Sequence, residues 1–299
     1  MTIRDLFSHR RLAGLVIATA VLVSPAAVAA QTQASGIADA VTRATVARGL
    51  VPHRAVIDLK LVKSTNASSV SGLTGRMVFE VNGSACEGFT VNFRFVTRLR
   101  DTQGQTRVTD LRTTTFEGGE AERFDFVTQT FVNDKMSEET RGSVERGDDD
   151  VAALLTLPER KQFDLPGSIV FPTQHLVEMV YGAKTGAGFV SADLYDGSEG
   201  GEKVFPTAMA IGPAMTKAED FKSEPAADVP GLKGVKHWPV SVGYYNGAIG
   251  MSGEQTPVYE MRFVLYENGV SRKLEIDYGD FVLEGTVTEL TILDMPKCE

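Results

Sequence analysis

The chain has 299 residues, of which 42% are hydrophobic, and a formal charge of -9 at pH 7, a balance that disfavours nucleic acid as its main partner. It contains two cysteines and no Cys-x-x-Cys, so a dithiol redox centre is excluded.

Residues 1–30 carry Arg4, Arg10 and Arg11, an apolar run over 12–23 and a stretch of small residues ending at Ala29 and Ala30. The run is too short to span a bilayer, and the pattern predicts a cleaved secretory signal peptide. No cysteine stands at the cleavage junction to accept a lipid anchor. Residues 31–299 are then expected as one exported, monomeric β domain that does not span the membrane. Residues 1–30 carry three arginines against one aspartate, so the remainder has a net charge near -11. The charge is uneven: residues 54–112 hold nine Lys/Arg against five Asp/Glu, and residues 113–299 hold sixteen against thirty-two.

A short helix is expected over 37–48. Strands are predicted over 54–62, where Ile57, Leu59 and Leu61 alternate with Asp58 and Lys60, and over 73–81 through Met77, Phe79 and Val81. The clearest strand starts at Phe89. Phe89, Val91, Phe93, Phe95 and Leu99 share one face, while Thr90, Asn92, Arg94 and Arg98 point the other way. Turn signals near 101–104, 117–120, 133–134 and 147–150 then delimit strands about ten residues apart, which argues for an antiparallel all-β architecture. One helix interrupts this rhythm near 173–181, with Thr173 placed as its N-cap and Leu176, Val177, Met179 and Val180 at helical spacing. It is expected to end near Gly182 or Gly186. Strands resume over 188–195 and 204–211. Residues 213–236, rich in Pro, Ala and charge, suit a long surface loop. The last strands cover 258–266, 272–278 and 281–293, with Asn268-Gly269 predicted as a type I′ hairpin turn.

Catalytic signatures are missing: there is no Gly-x-Ser-x-Gly and no His-Glu-x-x-His. Residues 182–188 have the wrong glycine spacing for a phosphate loop and terminate the helix instead. His175 and Glu178 form half of a metal or acid–base pair on one helical face, but no second His-bearing helix accompanies them. The acidic runs 148–150 and 196–202 lack calcium-loop spacing. No metal or cofactor is expected. Two cysteines in an exported chain most simply form one disulfide, the alternatives being two buried thiols or an intermolecular bridge.

Several stretches carry a family resemblance: residues 51–55 (VPHRA), 75–80 (GRMVFE), 86–98 (CEGFTVNFRFVTR), 109–116 (TDLRTTTF), 171–176 (FPTQHL) and the terminal cysteine. Together they resemble the EipB-like family of periplasmic cell-envelope integrity proteins across the whole mature chain. The resemblance implies an antiparallel β-spiral, a broken barrel of about fourteen strands with one or two short helices, closed by a disulfide between Cys86 and Cys298. It further implies a non-enzymatic role in maintaining the Gram-negative envelope and a functional link to a periplasmic TPR-repeat protein. A carrier or sensor of a lipid-like or glycan envelope ligand is the second reading, and a hydrolase built on His175 or His237 the third.

A spiral that leaves a concave face would direct Met77, Phe79, Phe89, Phe93, Phe95, Phe124 and Phe126 inward. They either fill a core or line an apolar groove for an acyl chain. Phe79, Phe93 and Phe95 are the expected groove residues, with Arg94, Arg98 and Arg112 expected to meet an anionic headgroup.

Overall fold

A computed structural model describes residues 41–297, apart from 149, 217–220, 222–223 and 247–255. The leader read over 1–30, the start of the first expected helix and Cys298 lie outside the described residues. No helix among those described is long and apolar enough to cross a membrane.

Among the described residues, fifteen strands form one sheet. In chain order they are β1 (His53–Ser64), β2 (Val70–Ser84), β3 (Gly88–Asp101), β4 (Thr106–Glu117), β5 (Arg123–Val132), β6 (Lys135–Arg146), β7 (Val151–Leu157), β8 (Lys161–Asp164), β9 (Ile169–Val170), β10 (Phe189–Leu194), β11 (Phe205–Ile211), β12 (His237–Tyr244), β13 (Tyr259–Tyr266), β14 (Ser271–Asp277) and β15 (Phe281–Ile292). The spatial order is β8 back through β1, then β15 back through β9. Every neighbouring pair is antiparallel except β9 and β10. That parallel pair needs a crossover, which is helix α2 (Pro172–Thr185). A short helix α1 (Arg43–Gly49), capped by Thr42, precedes β1.

The sheet curls until its two ends meet. Phe124 and Phe126 of β5 pack with Phe171 and Tyr195 from the other end, the Phe124 and Phe171 rings stacking at 5.0 Å. Arg146 of β6 donates to the carbonyls of Gly167 and Ile169, both at 3.0 Å, and Lys161 of β8 pairs with Glu202. No ladder joins β8 to β9, so side chains close this broken barrel where a complete barrel would use backbone bonds.

Three readings are corrected. Helix α2 begins one residue before Thr173, and Phe171 is its N-cap. Phe171 has no acceptor to offer the helix amides, so the capping group comes from elsewhere, as described below. The turn at 268–269 is not type I′. Gly269 has φ +87°, Asn268 does not have positive φ, and Gly269 N–H donates to Tyr266 C=O at 3.0 Å, a type I turn closed by a left-handed glycine. Positive φ at two successive residues occurs instead at Asn133 (49°) and Asp134 (63°), between β5 and β6. Lastly, 213–236 is not a loose surface loop. Phe221, Val229 and Leu232 are buried against Val264, Tyr266 and Val270, so the segment straps the outer face of β13 and β14.

Candidate functional site

The inner face of β1–β3 and β13–β15 is built by strand alternation. Ala55, Ile57 and Leu59 of β1, Leu73 and Met77 of β2, and Leu283 and Val287 of β15 form a buried layer. Phe93 lies opposite Phe79 and Phe95 opposite Met77 in the β2–β3 register, so all four share this face. The seven bulky side chains do not share one environment. Met77, Phe89, Phe124 and Phe126 are buried at 8%, 3%, 0% and 1% exposure and belong to three separate clusters. Phe79, Phe93 and Phe95 stay half-buried. Phe93 and Phe95, with ring centroids 6.4 Å apart, pack against the buried layer together with Leu61, Leu99, Tyr259, Met261 and Phe281.

Beyond Phe93 the register runs to Thr113 and then Thr128, whose hydroxyls lie 3.3 Å apart. The face therefore passes from aromatic to hydroxyl-lined. Across it, stacked aromatic pairs follow β13 to β15: Tyr244 with Tyr259 at 4.4 Å, and Tyr278 with Phe281 at 4.8 Å. Helices α1 and α2 cover one end of the curled sheet through Val46, Leu50, Val177 and Val180, packed on Phe89, Trp238 and Leu265.

The arginines stand elsewhere. Arg94 alternates with Phe93 and Phe95 and emerges on the opposite, solvent face, across from Arg112. Both are held by Asp110. Arg94 Nε and Nη2 donate to its two oxygens at 2.9 and 2.8 Å, and Arg112 Nη2 donates at 2.7 Å. These two guanidiniums, Arg94 first, hold the Asp110 carboxyl down at about 2. Arg98 is on the same outer face, beside Thr74 and Arg76, in a shallow depression of about 390 Å³. A headgroup bound by Arg94, Arg98 and Arg112 would thus lie on the far side of the sheet from an acyl chain on Phe79, Phe93 and Phe95. The structure brings the three phenylalanines together and separates them from the arginines.

The three histidines among the described residues make structural contacts. His175, 4% exposed, contacts Thr207 Oγ1 through Nε2 at 2.9 Å, while that hydroxyl donates to Ala192 C=O at 2.9 Å. Thr207 has a single hydroxyl proton, so Nε2 carries the hydrogen toward it. Burial pushes His175 down to about 4, and it works as a neutral tie between α2 and β11. Glu178 is occupied by Arg43 of α1. His53 and His237 each place Nδ1 on the carbonyl two residues earlier, at 2.9 and 3.0 Å. No group of three or more His, Cys, Asp or Glu among the described residues could hold a metal ion.

One group escaped sequence reasoning because its partners are remote. Glu117, at the end of β4, is 3% exposed and accepts from the Thr173 and Gln174 amides at 2.6 and 2.9 Å. It is the missing cap of α2, and burial pushes its carboxyl up to about 7.

The chain matches the model of the EipB-like family over residues 44–294. It is 40% identical over 264 residues to the cell envelope integrity protein EipB of Brucella abortus, covering 88% of this chain and 91% of that protein. It also resembles the crystal structure of a beta-barrel-like protein of domain of unknown function DUF1849 from Brucella abortus, with a TM-score of 0.74, 40% identity, and coverage of 82% of this chain and 99% of that one.

Proposed function

The chain belongs to the EipB-like family, and on that footing we propose that it is a non-catalytic periplasmic protein that maintains cell-envelope integrity in a Gram-negative bacterium, with the half-buried aromatic face around Phe79, Phe93 and Phe95 holding a lipid-like envelope component. The name of the Brucella relative supports the envelope role. The ligand reading is carried by one observation. Four of the seven bulky inward side chains are sealed in clusters, whereas these three stay half-buried, Phe93 and Phe95 beside Leu61, Leu99, Tyr259 and Met261 and Phe79 opposite Phe93 in the β2–β3 register. Partly exposed phenylalanines on a curled sheet are what an acyl chain would cover. The adjoining Thr113 and Thr128 hydroxyls supply polar contacts at its border.

Native mass spectrometry and lipid extraction of the exported protein test this. A bound lipid that is lost in Phe93→Asp is the expected result, and a clean unliganded mass from protein made in its own compartment would sink the reading. A periplasmic TPR-repeat protein is the partner that this reading carries.

The proposal includes a Cys86–Cys298 disulfide, in which Cys86 follows β2 and Cys298 stands next to the last residue. A closed loop of about 200 residues is worth ~5 kcal/mol at most in the chain-entropy model. Mass measured before and after reduction should differ by two hydrogens per monomer, and two alkylatable thiols in the unreduced protein would rule the bond out.

A further inference from the structure

Three neighbouring hairpins, β1–β2, β3–β4 and β5–β6, turn at the same end of the sheet, because these six strands are consecutive antiparallel neighbours. Their loops are bonded to one another. Thr102 N–H donates to Ser69 C=O at 2.9 Å, Ser71 Oγ donates to Asp101 C=O at 2.6 Å, and Val108 N–H donates to Asn133 Oδ1 at 3.0 Å. The three tips therefore form one continuous surface.

Around them stand Lys63, Arg98, Arg100, Arg107 and Lys135, all exposed. Along the neighbouring outer face, basic side chains are matched by acids: Lys60 by Glu284, Arg76 by Asp58, Arg94 and Arg112 by Asp110, Arg123 by Asp125, and Arg141 by Glu139. At the hairpin end none of the five cations has an ion-pair partner among the described residues. The acids of these tips are Asp101, Asp134 and Glu138, and the Asp101 carboxylate is turned onto the amides of Gln103 and Gln105 at 2.9 and 2.8 Å. Five cations against these three acids leave the three hairpins at +2 in a chain whose total is -9, and the exposed Asp280 of the adjoining β14–β15 turn, whose C=O accepts from Thr65 N–H at 2.8 Å, lowers this to +1. Beside Lys63 and Lys135 lie two exposed apolar side chains, Val62 at 47% and Met136 at 51% exposure.

Unpaired cations interleaved with exposed aliphatic side chains suit an anionic lipid surface, where charge draws the protein to the headgroups and the apolar groups enter the headgroup–acyl boundary. We propose that these three hairpins dock the protein on an anionic membrane surface, with Lys63, Arg98, Arg100, Arg107 and Lys135 facing phosphates and with Val62 and Met136 inserted between headgroups. Docking of this kind does not depend on whether the inner aromatic face holds a ligand, since the two use different residues.

The test is co-sedimentation of the full exported chain with vesicles of phosphatidylcholine, with and without phosphatidylglycerol. Binding is expected only to the vesicles containing phosphatidylglycerol, and it should weaken as salt rises. Each cation removed should weaken it about fivefold, so R98A/R100A should bind about 25-fold more weakly. Val62→Asp with Met136→Asp should also reduce binding, and K233A/K236A, at exposed lysines of the strap, should leave it unchanged. All these side chains are exposed, and unchanged melting curves verify that each variant is folded. The proposal is overturned by no sedimentation with anionic vesicles, by equal binding to both lipids, or by sensitivity to K233A/K236A and not to R98A/R100A. Retention on polyglutamate without vesicle binding would assign the surface to an acidic polypeptide and overturn it equally.

Discussion

Arg272→Ala is expected to destabilise the protein by about 3–5 kcal/mol, a fall in melting temperature of roughly 10 °C for a chain of this size. The guanidinium is 1% exposed and the Glu224 carboxylate 6%. Arg272 Nε reaches Glu224 Oε2 at 2.7 Å, Nη2 donates to Ala226 C=O at 2.5 Å, and the group sits 4.7 Å from the centre of the Phe221 ring. Every one of these partners lies in the 213–236 strap. Alanine would leave a carboxylate and a carbonyl buried without their donor, and either the charge stays uncompensated or the strap lifts to hydrate it. Lifting exposes Phe221, Val229 and Leu232, so trypsin should cut early at Lys233 and Lys236 in the variant and late in the parent. Replacing both partners with apolar residues, Arg272→Met with Glu224→Leu, should recover most of the stability, because it removes the two charges together. An alanine variant that melts within about 2 °C of the parent, well under the shift expected for such a loss, would show that the pair does not anchor the strap.

Glu117→Ala should cost about 2 kcal/mol or more, since it strands the Thr173 and Gln174 amides at a buried helix start. The cost should depend on pH in a definite direction. In the folded protein the carboxyl titrates at about 7, raised from 4.5 by burial. Between those values the folded state holds a proton that the unfolded state has released. The contribution of Glu117 is therefore fully present below about 4.5 and is lost as pH rises through about 7. Parent and variant should differ more at pH 5 than at pH 8, by up to ~1.4 kcal/mol per pH unit between the two values. His175 runs the other way: its folded value is lowered to about 4, so its contribution is present above 6.5 and erodes on acidification. The two slopes oppose each other in the parent, and Glu117→Ala unmasks the histidine as a loss of stability below pH 6.5. Thermal melts of parent and variant at pH 5 and pH 8 decide this. A cost equal at both, or larger at pH 8, contradicts the raised carboxyl.

Strands were the legible part. The alternation from Phe89 to Leu99 locates β3 to within two residues at each end, because a half-buried strand writes its two faces directly into a period of two. What local patterns could not report were contacts between distant residues. Glu117 sits in a Glu-Gly-Gly-Glu turn and looks solvated, but its partners are 56 and 57 residues away. For the same reason Thr173 satisfied the local capping rule while the acceptor actually used came from another strand. The strap was misread because three apolar residues at irregular spacing carry no period, and Arg272 pairs with Glu224 across 48 residues. At the candidate site, alternation alone identifies Phe79, Phe93 and Phe95 as facing together. The same alternation places Arg94 and Arg98 on the reverse face, which forbids joining both sets around one ligand.

The adjacency of β1 and β15 has a consequence for how the chain is made. His53 pairs with Ile292, so one flank of the first strand is filled by the last one. A chain emerging amino end first can lay down β1 to β8 as a meander of local hairpins, each seeded by its own turn. Throughout that time residues 53–64 present a row of unsatisfied amides and carbonyls to any passing strand. Arg54, Lys60 and Lys63 lie along that row, and charges there repel a second copy of the same segment while the proper neighbour is still being synthesised. A nascent chain interrupted before residue 281 would keep that flank open permanently, since β15 is the element that covers it.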